Sequence, residues 1–131
     1  MPTITLLYAG LLGILSLILA AAVGRRRGAA GISIGLGDDA ELLVANRRHG
    51  NFVEFVPMAL ILMALLEMNG VGAMTLHVFG LVLTVARICH PLGLHSDTMS
   101  TPLRAIGAGA TFLLTAVMSI WAVVAYLAAT V

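Results

Sequence analysis

Apolar residues run along this chain in four long blocks, separated by polar or glycine-rich interruptions. The first block, from about Thr3 to Val23, holds roughly 21 residues without a charge, enough to span a bilayer as a helix. Gly28 to Gly37 is glycine-rich and lacks a period, which predicts a loop. Asp38 or Asp39 then offers an N-cap, with Glu41 in the first turn, where the helix dipole favours an anion. A second helix is expected from about Ala40 to Met68. At about 1.5 Å per residue it is roughly 43 Å long, against a hydrocarbon core of roughly 30 Å. Its opening stretch to Glu54 is polar on one side, while Phe55 to Leu66 is almost wholly apolar. The first turns therefore project out of the bilayer, Glu54 lies near the boundary, and Pro57 predicts a kink just beyond it.

Glu67-Met68-Asn69-Gly70 reads as a short turn. The third helix is expected from about Val71 to Cys89, broken by Pro91 and Gly93, with a loop from His90 to Ser100. Thr101 followed by Pro102 marks a cap with proline at the first helical position. The fourth helix continues to about Ala129, and Trp121 and Tyr126 suit an interfacial anchor near its end. Short connections favour sequential antiparallel packing. The expected architecture is an all-α, integral membrane four-helix bundle forming a single domain over residues 1–131.

Composition sharpens this picture. Of 131 residues, 60% are apolar and 10% charged, whereas a soluble domain carries about 25% charged residues. The surplus apolar surface must face lipid. A net charge of +1 gives no polyanion-binding signature, so nucleic acid is not an expected partner. The single cysteine, Cys89, excludes an internal disulfide and a cysteine-based zinc cluster. In a signal peptide, basic residues precede the apolar run; here Arg25, Arg26 and Arg27 follow it, which argues for a retained helix. All seven basic side chains are arginine, and Arg25, Arg26, Arg27, Arg47, Arg48, Arg87 and Arg104 all fall at one membrane face. By the positive-inside rule that face is cytoplasmic, and both termini are periplasmic.

Candidate chemistry gathers at the same face. Arg47, Asn51 and Glu54 stand at i, i+4 and i+7 on the second helix, within about 60° of one another. Gly50 borders that stripe and leaves the backbone open. An ion pair between helices, serving stability alone, is one reading of Arg47 and Glu54. The other is recognition of a polar ligand bearing both charges, since ionisable groups within a membrane are costly and often functional. Arg87 and His90, three apart, close the third helix at the same level, and Arg104 sits in the first turn of the fourth. Arg87 alone could instead snorkel to lipid phosphate. His77, Cys89 and His95 read as structural or surface residues. No metal site is expected from His90 and His95, because no third ligand has suitable spacing. Ala105, Gly107, Ala108, Gly109 and Ala110 read as packing residues that let helices approach closely. The Gly31, Gly35, Gly37 run lacks the lysine and preceding strand of a phosphate loop.

The block Arg47-Arg48-His49-Gly50-Asn51-Phe52-Val53-Glu54-Phe55-Val56-Pro57, preceded by Leu36-Gly37-Asp38, resembles the second-helix motif of the MAPEG family, in its bacterial form. These are the membrane-associated proteins in eicosanoid and glutathione metabolism. Arg87-Ile88-Cys89-His90 and Thr101-Pro102-Leu103-Arg104 fit the same family. The resemblance implies a homotrimer in the bacterial inner membrane, with glutathione as co-substrate bound between subunits near the cytoplasmic face. It further implies conjugation of glutathione to lipophilic electrophiles, or glutathione-dependent reduction of lipid hydroperoxides, and hence a glutathione S-transferase-like enzyme. On that likeness Arg47, Asn51 and Glu54 hold the tripeptide and Arg87 and His90 add contacts from the third helix. One arginine of Arg25, Arg26 and Arg27, assigned to Arg25, closes the pocket, and Arg104 stabilises the thiolate as the catalytic residue. Leu94, Ala105 and Gly50 depart from the tyrosine, serine and second arginine of other members. Those departures motivate the alternative, a non-catalytic lipid-binding scaffold of the same fold. A small multidrug exporter fits poorly, because such proteins carry a glutamate within the first span and this one has none.

Overall fold

The computed structural model describes residues 1–130, with helices α1 (Thr3–Ala30), α2 (Ala40–Met68), α3 (Ala73–Leu92) and α4 (Pro102–Thr130). All four are long and apolar enough to cross a membrane. They run alternately up and down. Glu67 at the end of α2 bonds Ile4 and Thr5 at the start of α1, and Tyr8 of α1 bonds His77 near the start of α3. At the other end, Arg87 of α3 reaches Gly107 of α4. Among the described residues α1 and α4 do not meet, so α2 and α3 form the short diagonal of the bundle. Tyr8, Leu12, Phe52, Val56, Met63, Leu76, Leu83 and Met118 fill the space between the helices. Leu6, Ile14, Leu17, Ile61, Leu81, Leu113 and Val123 are exposed on the outside, the arrangement expected where the solvent is hydrocarbon.

Two of the helix ends differ from expectation. α1 does not stop at Val23 but continues to Ala30, carrying the three arginines in helical turns. Arginine is a good helix former, and the side chains find acceptors further along. Arg27 donates to the carbonyl of Gly35 at 2.8 Å, and Arg26 engages Asp39. α3 runs through Pro91 to Leu92 rather than ending at Cys89. α2 continues without interruption through Pro57.

The connections show why their residues are there. Gly31, Gly35 and Gly37 adopt φ of 66°, 78° and 55°, a left-handed region that side chains disfavour. Asp39, not Asp38, caps α2, accepting from the Leu42 amide at 2.9 Å. Thr101 caps α4, accepting from the Arg104 amide and donating to the Gly93 carbonyl at 2.7 Å. α1 has no side-chain cap of its own. Glu67 serves instead, accepting from the Ile4 and Thr5 amides at 2.8 Å each and from the Thr5 hydroxyl at 2.7 Å. Nothing in the sequence spacing marks that link.

Of the small residues opening α4, only Gly107 is buried against a neighbour. A Cβ there would lie 2.6 Å from the Ala86 carbonyl oxygen and 2.7 Å from the His90 nitrogen, while at Gly109 it would meet open space. The close approach of α3 and α4 thus depends on Gly107 along the helices and on Gly93 at the end of α3, where a Cβ would run into the Arg104 backbone nitrogen.

Candidate functional site

The antiparallel topology gathers all seven arginines at one end of the bundle. They divide into three groups with different surroundings.

Arg26 belongs to the α1–α2 connection. Its Nε and one terminal nitrogen grip both oxygens of Asp39, at 3.1 and 2.8 Å, and its other nitrogen meets Glu41 at 2.9 Å. The guanidinium beside Asp39, with the Leu42 amide in support, holds the Asp39 carboxyl below its usual range. Arg25, the member of the run assigned to the ligand, is exposed. Arg27 is taken up by the loop carbonyls of Ser33 and Gly35.

Arg87 lies at the centre of the arginine end. It is 2% exposed, so it does not snorkel to lipid. One nitrogen donates to Asn51 Oδ1 at 3.0 Å and another to the Gly107 carbonyl at 2.7 Å, while Nε is buried without a partner. Gly107 also accepts from the Thr111 hydroxyl at 2.9 Å. The guanidinium thus joins α2, α3 and α4 through neutral acceptors. A buried charge normally needs an opposite charge as well as hydrogen bonds. A small cavity of ≈ 60 Å³ lined by Asn51, Phe55, Arg87, Ala108, Thr111 and Phe112 lies against this link. The signal for Arg87's burial was present in the sequence. Arg87 and His90 continue the stripe Leu76, Gly80, Leu83, all buried on α3.

Outside that link lies a groove of ≈ 430 Å³ between α2 and α4, lined by Glu54, Phe55, Met58, Phe112, Thr115, Ala116 and Ser119. Phe55 and Phe112 pack with ring centroids 6.2 Å apart and line the inner cavity as well as the groove. Glu54 contacts Arg47 at 3.7 Å, and both side chains are about half exposed, 50% and 57%. The pair joins two turns of α2 rather than two helices. Gly50 leaves room beside it, since a Cβ there would come no closer than 4.0 Å to Glu54.

The expected stripe therefore splits. Asn51 turns inward to Arg87, whereas Arg47 and Glu54 stay at the surface. His90 is buried in the α3–α4 contact. Arg104 donates to the Met99 carbonyl at 2.6 Å, folding back on the α3–α4 loop. Arg48, which the spacing argument passed over, crosses from α2 to that loop and donates to the Leu94 carbonyl at 2.7 Å. Phe55, Thr111 and Phe112 were missed too, because their apolar or β-branched character reads as ordinary core.

Fold and site together define a polytopic membrane protein with a polar, arginine-rich end and an apolar groove opening beside it. Comparison with known proteins then gives the family. The model of the MAPEG family matches residues 5–124, and the chain belongs to that family. Two relatives, each named inner membrane protein YecN, come from Escherichia coli strain K12 and from Escherichia coli O6:H1. Each is 38% identical over 92 residues, covering 70% of this chain and 70% of the relative. No solved structure matches the chain.

Proposed function

We propose that the protein is a membrane-bound glutathione-dependent transferase or peroxidase acting on lipophilic electrophiles or lipid hydroperoxides. One observation carries the reading. A half-exposed acid–base pair, Arg47 and Glu54, stands on α2, and its glutamate lines an apolar groove between α2 and α4. Glutathione bears two carboxylates and an ammonium, which an arginine and a glutamate can receive. A lipophilic co-substrate arriving through the bilayer would occupy the Phe55, Met58 and Phe112 wall. Asn51 and Arg87 lie behind the same wall. Arg25 and His90 remain further candidates for contact.

The nucleophile in such chemistry is a thiolate. Lowering a thiol pKa from about 8.5 to about 6.5 takes roughly 2.7 kcal/mol of differential stabilisation. Arg104, in the first turn of α4, is the assigned donor. To meet a thiol it exchanges the Met99 carbonyl for the ligand, or receives a ligand held by a neighbouring subunit. The proposed assembly is a homotrimer, in the inner membrane named for the relatives, with the arginine end toward the cytoplasm.

The test is turnover of chlorodinitrobenzene or a lipid hydroperoxide by the purified protein with glutathione. Arg104→Ala should lower kcat about 25-fold at pH 7, the fall in thiolate fraction when the thiol pKa returns from about 6.5 to about 8.5. Glu54→Gln should chiefly raise KM for glutathione. Unchanged rates in Arg104→Ala would remove its assigned role. The second reading, a non-catalytic lipid-binding scaffold, is favoured by the largely apolar lining of the α2–α4 groove and by Leu94 and Ala105, which supply no hydroxyl. Calorimetry that detects lipid but not glutathione binding would decide for it.

A further inference from the structure

On another flank of the bundle, where α1 meets α3, two depressions share residues. One, of ≈ 510 Å³, is polar; Arg26, Glu41 and Arg48 line it from the helices, and His95, Ser96 and Asp97 from the α3–α4 loop. The other, of ≈ 220 Å³, is apolar, with Leu15, Ile18 and Ala22 of α1 across from Ile88 and Leu92 of α3. Ala45 and Arg48 line both, so the polar cleft and the apolar groove are continuous. Leu15 to Ala22 covers about 10 Å of helix axis. The groove therefore runs toward the bilayer centre, and the cleft lies at the arginine end.

The cleft has a defined charge. Two arginines stand against two carboxylates, Glu41 and Asp97. Arg26 is already committed to Asp39 and Glu41. Arg48 gives one nitrogen to the Leu94 carbonyl and keeps a buried Nε without a partner. Asp97 is exposed and accepts from the neighbouring Thr98 hydroxyl at 3.2 Å. Such a site offers one guanidinium edge and one carboxylate, with no net charge to favour an anion. We infer that this depression binds one glycerophospholipid with a zwitterionic, ammonium-bearing headgroup. The phosphate meets Arg48, where a charge-assisted hydrogen bond is available. The ammonium meets Asp97, the carboxylate not already engaged by an arginine, and one acyl chain lies between α1 and α3. None of these residues lines the α2–α4 groove, so the inference is independent of the catalytic proposal.

The full chain in mild detergent, exchanged against equal amounts of phosphatidylethanolamine and phosphatidylglycerol, provides the test, with retained lipid counted by native mass spectrometry. One phosphatidylethanolamine per chain should survive washing. Retention should fall at least tenfold in Arg48→Gln and in Ile18→Trp, which fills the groove from an exposed position on α1. Met58→Trp, in the opposite groove, should leave it unchanged. Arg48→Gln also loosens the loop at Leu94, so Ile18→Trp and Asp97→Asn decide the matter. Equal retention in both overturns the inference. So does preference for phosphatidylglycerol, occupation by detergent alone, or equally tight binding of soluble phosphoethanolamine.

Discussion

Asn51→Leu removes the acceptor that α2 offers to Arg87, and the cost can be worked from the geometry. The 3.0 Å bond to the guanidinium is lost, at about 1.5–3 kcal/mol for a bond to a charged group. The nitrogen left behind belongs to a side chain 2% exposed, so water cannot readily replace the amide oxygen. Leucine's better helix propensity returns only a few tenths of a kcal/mol. The expected destabilisation is about 3 kcal/mol. Arg87→Met behaves differently. It also ends the bond, but it relieves the burial of a cation that has only neutral acceptors, a desolvation cost of several kcal/mol. Asn51 is only partly buried and can turn to solvent. The net change should be near zero. With both substitutions no orphaned donor remains, so the double variant should recover about 2–3 kcal/mol of the Asn51→Leu loss as a coupling term. Thermal unfolding of the four proteins in one detergent measures the cycle. Additive effects within about 0.5 kcal/mol would refute the claim that Asn51 is the partner on which the buried guanidinium depends.

Glu67→Ala should destabilise by about 2 kcal/mol, the upper range for loss of a helix cap, and should speed hydrogen exchange at Ile4 and Thr5; protected amides in the variant would refute the cap. Asp39 has a folded pKa below its unfolded value, so its contribution is complete above about pH 4 and is lost as pH falls through the folded pKa. Exchange protection of the 31–39 connection should accordingly be flat near neutrality and decline only in acid, whereas Asp39→Asn should lose it at pH 7. Gly107→Ala should cost about 1–3 kcal/mol through overpacking against backbone that cannot rotate away, while Gly109→Ala should be neutral or stabilising, as unfolding curves of the two would show.

Much of the fold could be read from unbroken apolar runs, because a bilayer leaves the backbone few alternatives to a helix. The end of α1 was not legible in this way. Hydrophobicity marks where lipid stops, but the helix stops where its last carbonyls and arginines run out of partners, at Gly31 and the Asp39 carboxylate. The site was legible in part. Spacing put Arg47, Asn51 and Glu54 on one stripe, but it could not say that Asn51 faces α3 while Glu54 faces the groove. That difference depends on how the helices pack: Asn51 meets the Arg87 guanidinium of α3 at 3.0 Å, while Glu54 lines the groove beside α4. The burial of Arg87 was recoverable from the Leu76, Gly80, Leu83 stripe. Charge alone pointed outward.

The geometry of α2 ties these features together. Glu41, Ala45 and Arg48 form one stripe, and Arg47, Asn51 and Glu54 a second, about 120° round the helix. Because α2 lies on the short diagonal of the bundle, with α1 on one side and α4 on the other, the two stripes open onto different flanks. The first serves the cleft beside α1 and α3; of the second, Glu54 lines the groove beside α4 and Asn51 turns inward to Arg87. Adjacent arginines, Arg47 and Arg48, thus divide between them. Arg47 stays at the surface with Glu54, and Arg48 braces the α3–α4 loop through Leu94. That loop also holds the Arg104 guanidinium through Met99. A disturbance at Arg48 can therefore reach Arg104 through a single short loop, without passing through the bundle core. An Arg48→Gln effect on turnover accompanied by unchanged glutathione affinity would be the signature of that route. A parallel loss of affinity would mean instead that the two flanks communicate through α2 itself.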